Sequence, residues 1–300
     1  MVHTKENKDK IYGWFTVAPS IIIILLIIVY PLFYNVYTSF RYLTLINFRS
    51  GGRFVGLNNY LELFSEPGFH NSLFVTFVYV LVTVTLQFII AFLIALALYK
   101  KRAVLRKITT ICLLLPKMIT PVAAALIWRF MLNYETGVIN YFLSLLHIPR
   151  VAFFTHPVMA MITLNIIGVW QSLGFTFLLL VTGLMAMPNQ IIEAAEVDGA
   201  NWFKRLWYII IPTLKPVILI TTLFAVIHSF QVFDTIFMTT QGGPAEATQV
   251  LSIYLYRKLF GACHFGSSGA ISVIMLIISL CISIGMIMVL KKGGTKSAVN

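Results

Sequence analysis

Of the 300 residues, 59% are hydrophobic and 11% are charged, with a mean hydropathy of +0.90 and a net charge of +12. A soluble domain carries about 25% charged residues, so this composition excludes one. Six apolar blocks of bilayer-spanning length use nearly the whole chain, which leaves no room for a soluble catalytic domain.

The first block, about residues 14–38, follows the charged stretch HTKENKDK, which resembles the start of a signal peptide. It is too long for a signal core, contains Pro19 and Pro31, and lacks an A-x-A cleavage site, so it is expected to be a retained span. A loop at 39–70 carries the turn formers RSGG and EPG, and the second block covers 71–98. The third block, 108–132, is interrupted by Pro116 and Pro121 and holds Lys117 and Arg129. After a loop at 133–156, the fourth block, 157–183, is dotted with Asn165, Gln171, Ser172 and Gly174. The fifth, 213–237, carries His228, Ser229, Gln231 and Asp234 in its outer part. The loop 238–267 contains QGGPAEAT, where Gly242, Gly243 and Pro244 define a turn, and the last block covers 268–290. The expected organisation is a segment 1–13, a six-helix membrane domain 14–290, and a tail 291–300.

Helices are the expected spans, because backbone groups in lipid are satisfied internally and no barrel-like alternation is present. Basic residues fix the orientation. With the N-terminus inside, fourteen lie on inner segments: Lys5, Lys8, Lys10, Lys100, Lys101, Arg102, Arg106, Lys107, Lys204, Arg205, Lys215, Lys291, Lys292 and Lys296. Six lie on outer loops: Arg41, Arg49, Arg53, Arg150, Arg257 and Lys258. That bias is the positive-inside pattern, so both termini are expected in the cytoplasm and the positive charge does not imply nucleic acid. Cys112, Cys263 and Cys281 are scattered, and the histidines form no ligand pair, so neither a disulfide framework nor a metal site is expected.

Polar groups at membrane depth face a bundle interior or a cavity. The cluster His228, Ser229, Gln231 and Asp234 fits a cavity; interhelical hydrogen bonding that only holds the bundle together is the alternative.

Acids are scarce, with 10 Asp and Glu in the chain, yet Glu193, Glu196 and Asp198 cluster. Pro188 suits the first turn of a helix, which Asn189 or Gln190 helps to cap. Ile191, Ile192 and Ala195 share one side of it. Asp198-Gly199 ends the helix, Asp198 or Asn201 caps a second, and that short helix runs through Trp202, Phe203 and Leu206 towards Pro212. The region 188–212 is thus an amphipathic elbow with Trp202, Phe203 and Trp207 placed for a bilayer interface. Its acids either grip a partner or only balance Lys204 and Arg205 in a solvated loop.

The stretch EAAEVDGANWFKRLWYIIIP resembles the signature loop of permease subunits of binding-protein-dependent ABC importers, through Glu193, Ala194, Ala195, Asp198, Gly199, Ala200 and Pro212. The segments FVGLNNY, LLLPKMITPVAAALIWRFMLN, VWQSLGFTFLLLVTGLMAMP, SFQVFDTIFMTTQGGPAEAT and FGSSGAIS, in order along nearly the whole chain, resemble its carbohydrate-uptake branch, of MalF/UgpA type. The resemblance implies a bacterial-type plasma-membrane complex. It would contain a second homologous permease, two ATPase subunits that hold ATP and Mg, and an extracellular solute-binding protein. The first elbow helix would be the coupling helix docked in an ATPase cleft, and Gly242, Gly243 and Pro244 would meet the binding protein. The chain has no G-x-x-x-x-G-K-[ST] motif and is expected to bind no cofactor and to perform no catalysis.

Relatives carry an aromatic residue where this chain has Lys117. A lysine about nine residues into the third span lies near mid-depth at the rise of a helix. It is expected to meet an oligosaccharide bearing a carboxylate, with Gln171, Ser172, His228, Ser229 and Gln231 supplying hydrogen bonds and Phe175 a stacking face. The alternative is a permanently hydrogen-bonded lysine that never meets solute, with Asp234 as the one acid in any span. Against the importer reading stand an ion-coupled secondary sugar transporter, which would want more buried carboxylates, and a membrane enzyme, which would want a clustered catalytic set.

Overall fold

The computed structural model describes residues 16–294; the segment 1–13 and the tail beyond 294 lie outside the described residues. In chain order the elements begin with helix α1 (Thr16–Ser39), strands β1 (Arg41–Tyr42) and β2 (Arg53–Phe54), and helix α2 (Asn58–Ser65). There follow α3 (Pro67–Leu98), α4 (Ala103–Met118), α5 (Pro121–Met131), α6 (Val138–Leu145), α7 (Pro157–Met185) and α8 (Asn189–Val197). A long helix α9 (202–230), then α10 (Asp234–Thr239), α11 (Leu251–Tyr256) and α12 (Phe265–Gly294) complete the order. Among the described residues, the helices α1, α3, α7, α9 and α12 are long and apolar enough to cross a bilayer; the bent pair α4–α5 makes a sixth span if counted as one.

The chain divides into two compact units: residues up to Glu66 with Leu255–Leu276, and Pro67–Tyr254 with the residues from Ile277 onward. In the first, β1 and β2 pair antiparallel, and the buried Asn59 amide donates to the carbonyls of Ser39 (2.7 Å) and Arg41 (3.0 Å). Lys258 closes an ion pair with Glu66 at 2.7 Å. These elements, like α6, lie in stretches that read as loops in the sequence. They are too short for a periodicity signal and are held by specific hydrogen bonds instead.

In the second unit α7 is the hub and touches α3, α4, α9 and α10. Its apolar window is 61% buried within the chain, so α7 is the helix that α3, α4 and α9 are packed around. One buried cluster joins Ala91 and Ala95 of α3, Phe177, Leu180 and Leu184 of α7, Ile192 of α8, and Leu206, Ile210 and Leu214 of α9. A second joins Val75 and Tyr79 of α3, Leu164 of α7, Ile236 of α10, and Val250 and Ile253. The α3–α7 seam also carries a buried hydrogen bond in which Thr83 donates to the Asn165 side chain at 2.8 Å. Asn165 is therefore a structural tie, as interhelical bonding in a bundle requires.

Two expectations are corrected. The third block is not a continuous helix: α4 and α5 meet at 93°. Ile119 and Thr120 are extended, with ψ of 133° and 142°. A residue before proline disfavours helical geometry, and Pro121 has no N–H to continue the ladder. Pro121 instead starts α5, with the Thr120 hydroxyl accepting from the Ala123 N–H at 3.4 Å. Nor does the second elbow helix stop near Pro212. The chain is helical without a break from Trp202 through a π-helical turn, Leu206–Ile210, into Ile211–Phe230. The wide turn, with the Ile211 N–H bonded to the Leu206 carbonyl, absorbs the donor that Pro212 lacks. The same device, Leu25–Val29, precedes Pro31 in α1.

At Gly174 a Cβ would stand 2.0 Å from the carbonyl oxygen of Leu113, so α4 lies directly on the α7 backbone. Gly174→Val is expected to force the two helices apart and to destabilise the fold by about 3 kcal/mol or more, lowering the melting temperature of the purified protein. Gly285→Ala, where a Cβ meets nothing within 4 Å, is the control and should hold or raise it.

Candidate functional site

The break after Met118 decides what surrounds Lys117. Lys117 does not sit midway along a continuous span; it lies in the last turn of α4, beside the bend. Its Nζ is 2.8 Å from Nε2 of His228 near the end of α9. An ammonium group has no lone pair, so a charged Lys117 donates to Nε2, and the imidazole is then neutral with its proton on Nδ1. Asp234 is not the partner: Lys117 forms no ion pair among the described residues. Asp234 opens α10, beyond a break at 231–233.

Two cavities flank this pair. One of about 230 Å³ is lined by Gln171 and Ser172 of α7, by His228 and Ser229 of α9, and by Gln231 and Asp234. The other, about 250 Å³, is lined by Lys117, Ser172, Phe175, Phe224, His228 and Gln87. Ser172 and His228 belong to both. The structure therefore brings together all seven residues expected on a solute path: Lys117, Gln171, Ser172, Phe175, His228, Ser229 and Gln231. Gln171 also donates across the bend to the Ile119 carbonyl at 3.4 Å, which ties α7 to the extended segment. Phe175 and Phe224 meet edge to face at 6.2 Å. Lys117, Phe175, Phe224, His228, Gln231 and Asp234 are all exposed in the isolated chain. A cation costs about 2.5–3.5 kcal/mol at the centre of a helix in lipid, so this face fits water or another protein better than lipid.

Gln87 is not among the residues expected on the path. It is fully buried in α3, and neither its Nε2 nor its Oε1 has a hydrogen-bond partner among the described residues. An unsatisfied buried amide costs about 1–3 kcal/mol. The signal was legible: one glutamine stands in the run FVYVLVTVTLQFIIAFLIALAL, whose other polar groups are the hydroxyls of Tyr79, Thr83 and Thr85.

The elbow forms with two adjustments. The helix α8 begins at Asn189, so Pro188 occupies the capping position outside it rather than the first turn. Ile192 is buried in the apolar cluster and Ala195 is buried on the same side, whereas Ile191 is exposed and does not share their side. Gln190, Glu193, Ala194 and Val197 form the outward stripe at i, i+3, i+4, i+7 spacing. The helix ends in paired bonds from the Ala200 N–H to the Ala195 carbonyl (2.9 Å) and from the Gly199 N–H to the Glu196 carbonyl (3.1 Å). This closure needs the positive φ of +74° at Gly199. Of the two candidates for the second cap, Asn201 performs it, accepting from the Lys204 N–H at 2.9 Å. The acids divide. Glu196 bonds Arg205 of α9 and, at 3.1 Å, Lys100 after α3, so it ties three segments together. Glu193 and Asp198 are exposed and make no such bond among the described residues. Trp202, Phe203, Trp207 and Tyr208 are exposed beside them.

The turn at 241–248 is closed by the Thr248 hydroxyl, which donates to the Gly243 carbonyl at 2.6 Å. Gly242 is buried against Ile253 and Gln249, Gly243 and Pro244 are half-buried, and Ala245 and Glu246 form the exposed tip. Asn71 of α3 donates to the Glu246 carbonyl at 3.2 Å, so the tip is held rather than loose.

Residues 65–291 match the family described as the binding-protein-dependent transport system inner membrane component. The chain belongs to this family. It is a permease subunit of an ABC importer and not an enzyme, and ATP hydrolysis falls to separate subunits. This permease is 34% identical over 282 residues to the trehalose/maltose transport system permease MalF of Thermococcus litoralis, covering 93% of each chain. It is 32% identical to the sulfoquinovosyl glycerol transport system permease SmoG of Agrobacterium fabrum, covering 92% of this chain and 89% of that one. Its fold matches, with a TM-score of 0.82 and 21% identity, a chain of a bacterial ABC transporter involved in the import of the acidic polysaccharide alginate. That match covers 97% of this chain and 99% of the other.

Proposed function

We propose that this permease forms half of the translocation path of a sugar importer, and that its solute is an acidic oligosaccharide. The relatives named for trehalose/maltose and for sulfoquinovosyl glycerol support a sugar, and they include both an uncharged and a sulfo-bearing one. The observation that carries the acidic reading is Lys117: a cation on an exposed cavity wall, held by a histidine and paired with no carboxylate. An anionic sugar group offsets its charge on passage, Phe175 offers a face to the ring, and Gln171, Ser172, His228, Ser229 and Gln231 supply hydrogen bonds. Asp234, in the other cavity, repels the same group and biases it towards Lys117.

In this reading the domain 14–290 lies in a bacterial-type plasma membrane, with the segments 1–13 and 291–300 and the elbow 188–212 on the cytoplasmic side. The exposed aromatic residues at the start of α9 lie at the bilayer interface. A second homologous permease covers the exposed face around Lys117. The outward stripe of α8, with Glu193 and Ala194, docks on one of two ATPase subunits, which hold ATP and Mg; this chain holds no cofactor. Ala195 packs on the buried side of that helix, and Asp198, Gly199 and Ala200 close its end. Nucleotide binding selects between inward- and outward-facing states, and because α8 is tied to α9 by Glu196, the push reaches the end of α9 that carries His228. On the other side of the membrane, Gly242, Gly243 and Pro244 shape the turn that presents Ala245 and Glu246 to the binding protein.

Three outcomes are expected. A lost charge-assisted hydrogen bond of about 1.5–3 kcal/mol weakens binding about ten- to a hundredfold. Glu193→Ala should therefore weaken capture of the ATPase subunits by that order and abolish uptake, while membrane insertion is normal; wild-type capture and uptake would remove α8 from the coupling interface. A cysteine replacing Ala245 should cross-link to the binding protein in a nucleotide-trapped complex, and its absence there counts against the contact. Proteoliposomes of the whole complex should take up trigalacturonate, with Lys117→Met losing it selectively against maltotriose. Equal loss of both sugars, or wild-type uptake of maltotriose alone, overturns the acidic assignment.

A further inference from the structure

The path residues above come from α4, α7 and α9 and from Gln231 just after α9. Helix α3 contributes a different feature. Its buried part is made of small, apolar or hydrogen-bonded residues: Thr76 donates to the Ser72 carbonyl at 2.6 Å, Thr83 bonds Asn165, and Ala91 and Ala95 pack in the core. Gln87 departs from this. It has no accessible surface, both of its side-chain polar atoms lack partners, and it stands in the wall of the cavity that holds Lys117, His228, Phe175 and Phe224.

A glutamine whose only task was to join helices would bond a neighbouring backbone or side chain, as Thr83 and Asn165 do one turn away along the same seam. A leucine or methionine would fill the site without the desolvation penalty. An amide offers a donor and an acceptor side by side, and adjacent hydroxyls on a sugar ring present the complementary acceptor and donor. The other walls match the rest of a sugar: aromatic rings for its C–H face and an ammonium for its acidic group.

We infer that Gln87 is a solute-binding residue, whose amide engages a pair of ring hydroxyls when the cavity widens to admit sugar. This rests on the sugar-importer reading but not on the acidic one, since hydroxyls are common to neutral and acidic sugars. It adds α3 to the solute path and separates two tasks: Lys117 reads charge, and Gln87 reads the hydroxyl pattern.

The test uses the whole complex with its ATPase and binding-protein subunits in proteoliposomes, with maltotriose and trigalacturonate as probes. Gln87→Leu removes both polar atoms at nearly constant volume. Because no bond is lost in the empty protein, the variant should assemble and should melt at or above the wild-type temperature. The apparent KM for uptake should rise about tenfold or more for every probe the wild type transports, since a site built around hydrogen bonds discriminates strongly when they are missing. Gln87→Asn, which keeps the amide on a shorter stem, should recover part of it. Unchanged uptake by Gln87→Leu overturns the inference and leaves the importer reading intact. Failure of Gln87→Leu to assemble with the second permease, or a lower melting temperature, marks Gln87 as a structural contact and also overturns it. Wild-type uptake of neither sugar overturns the functional reading and this inference with it.

Discussion

The functional architecture depends on one close contact, the Leu113 carbonyl of α4 against the bare backbone of α7 at Gly174. With no side chain between them, α4 runs along α7 closely enough for its last turn to reach the polar part of that helix. The bend at Ile119 and Thr120 then turns the chain aside instead of continuing it across the membrane. Lys117 is left at the tip of α4, with its ammonium group on His228. A straight third span would have placed the lysine along the side of a helix, and α9 would have had no reason to bring a histidine to it.

The elbow solves a different mechanical problem. A push delivered to a surface helix is lost if the connection bends. Here α8 is fixed on its inner side by Ile192 in the main apolar cluster and by the buried Ala195, and on its edge by the bonds of Glu196 to Lys100 and Arg205. Exposed ion pairs contribute about 0–1 kcal/mol each, so stability is not their main consequence. They join α8, the start of α9 and the end of α3, and α9 then continues through Pro212 without a joint. The π-helical turn before that proline keeps a rod intact at the position where an ordinary helix would kink.

The two ends of α9 thus meet the two functional regions. Its first turn carries Arg205 at the elbow, and its last carries His228 and Ser229 at the cavities. The alternation of core and open face follows from the same packing. Leu206, Ile210 and Leu214 are buried against α3 and α7, while Phe224 and His228 remain exposed. Polar residues at membrane depth on an open face are costly in lipid, and in this protein they are concentrated where α4, α7 and α9 converge.

Composition and residue order alone determined the membrane class, the positions of the spans, the elbow and the list of polar residues on α7 and α9. Each of these depends on local chemistry: apolar length for a span, a glycine and a nearby Asp or Asn cap for the elbow, and the scarcity of polar groups that makes each one conspicuous. The sequence also marked the trouble at Pro116 and Pro121, but a proline shows only that a helix is perturbed. The 93° bend, and the choice of His228 over Asp234 as the partner of Lys117, were decided by packing on α7. Local pattern likewise could not separate Ile191 from Ile192, because which side of a short helix is buried depends on the neighbours it meets. Nor could it distinguish Asn165, satisfied by Thr83, from Gln87, satisfied by nothing. Both are amides in apolar stretches of helix, and only the arrangement of the surrounding helices determines whether a partner lies within reach.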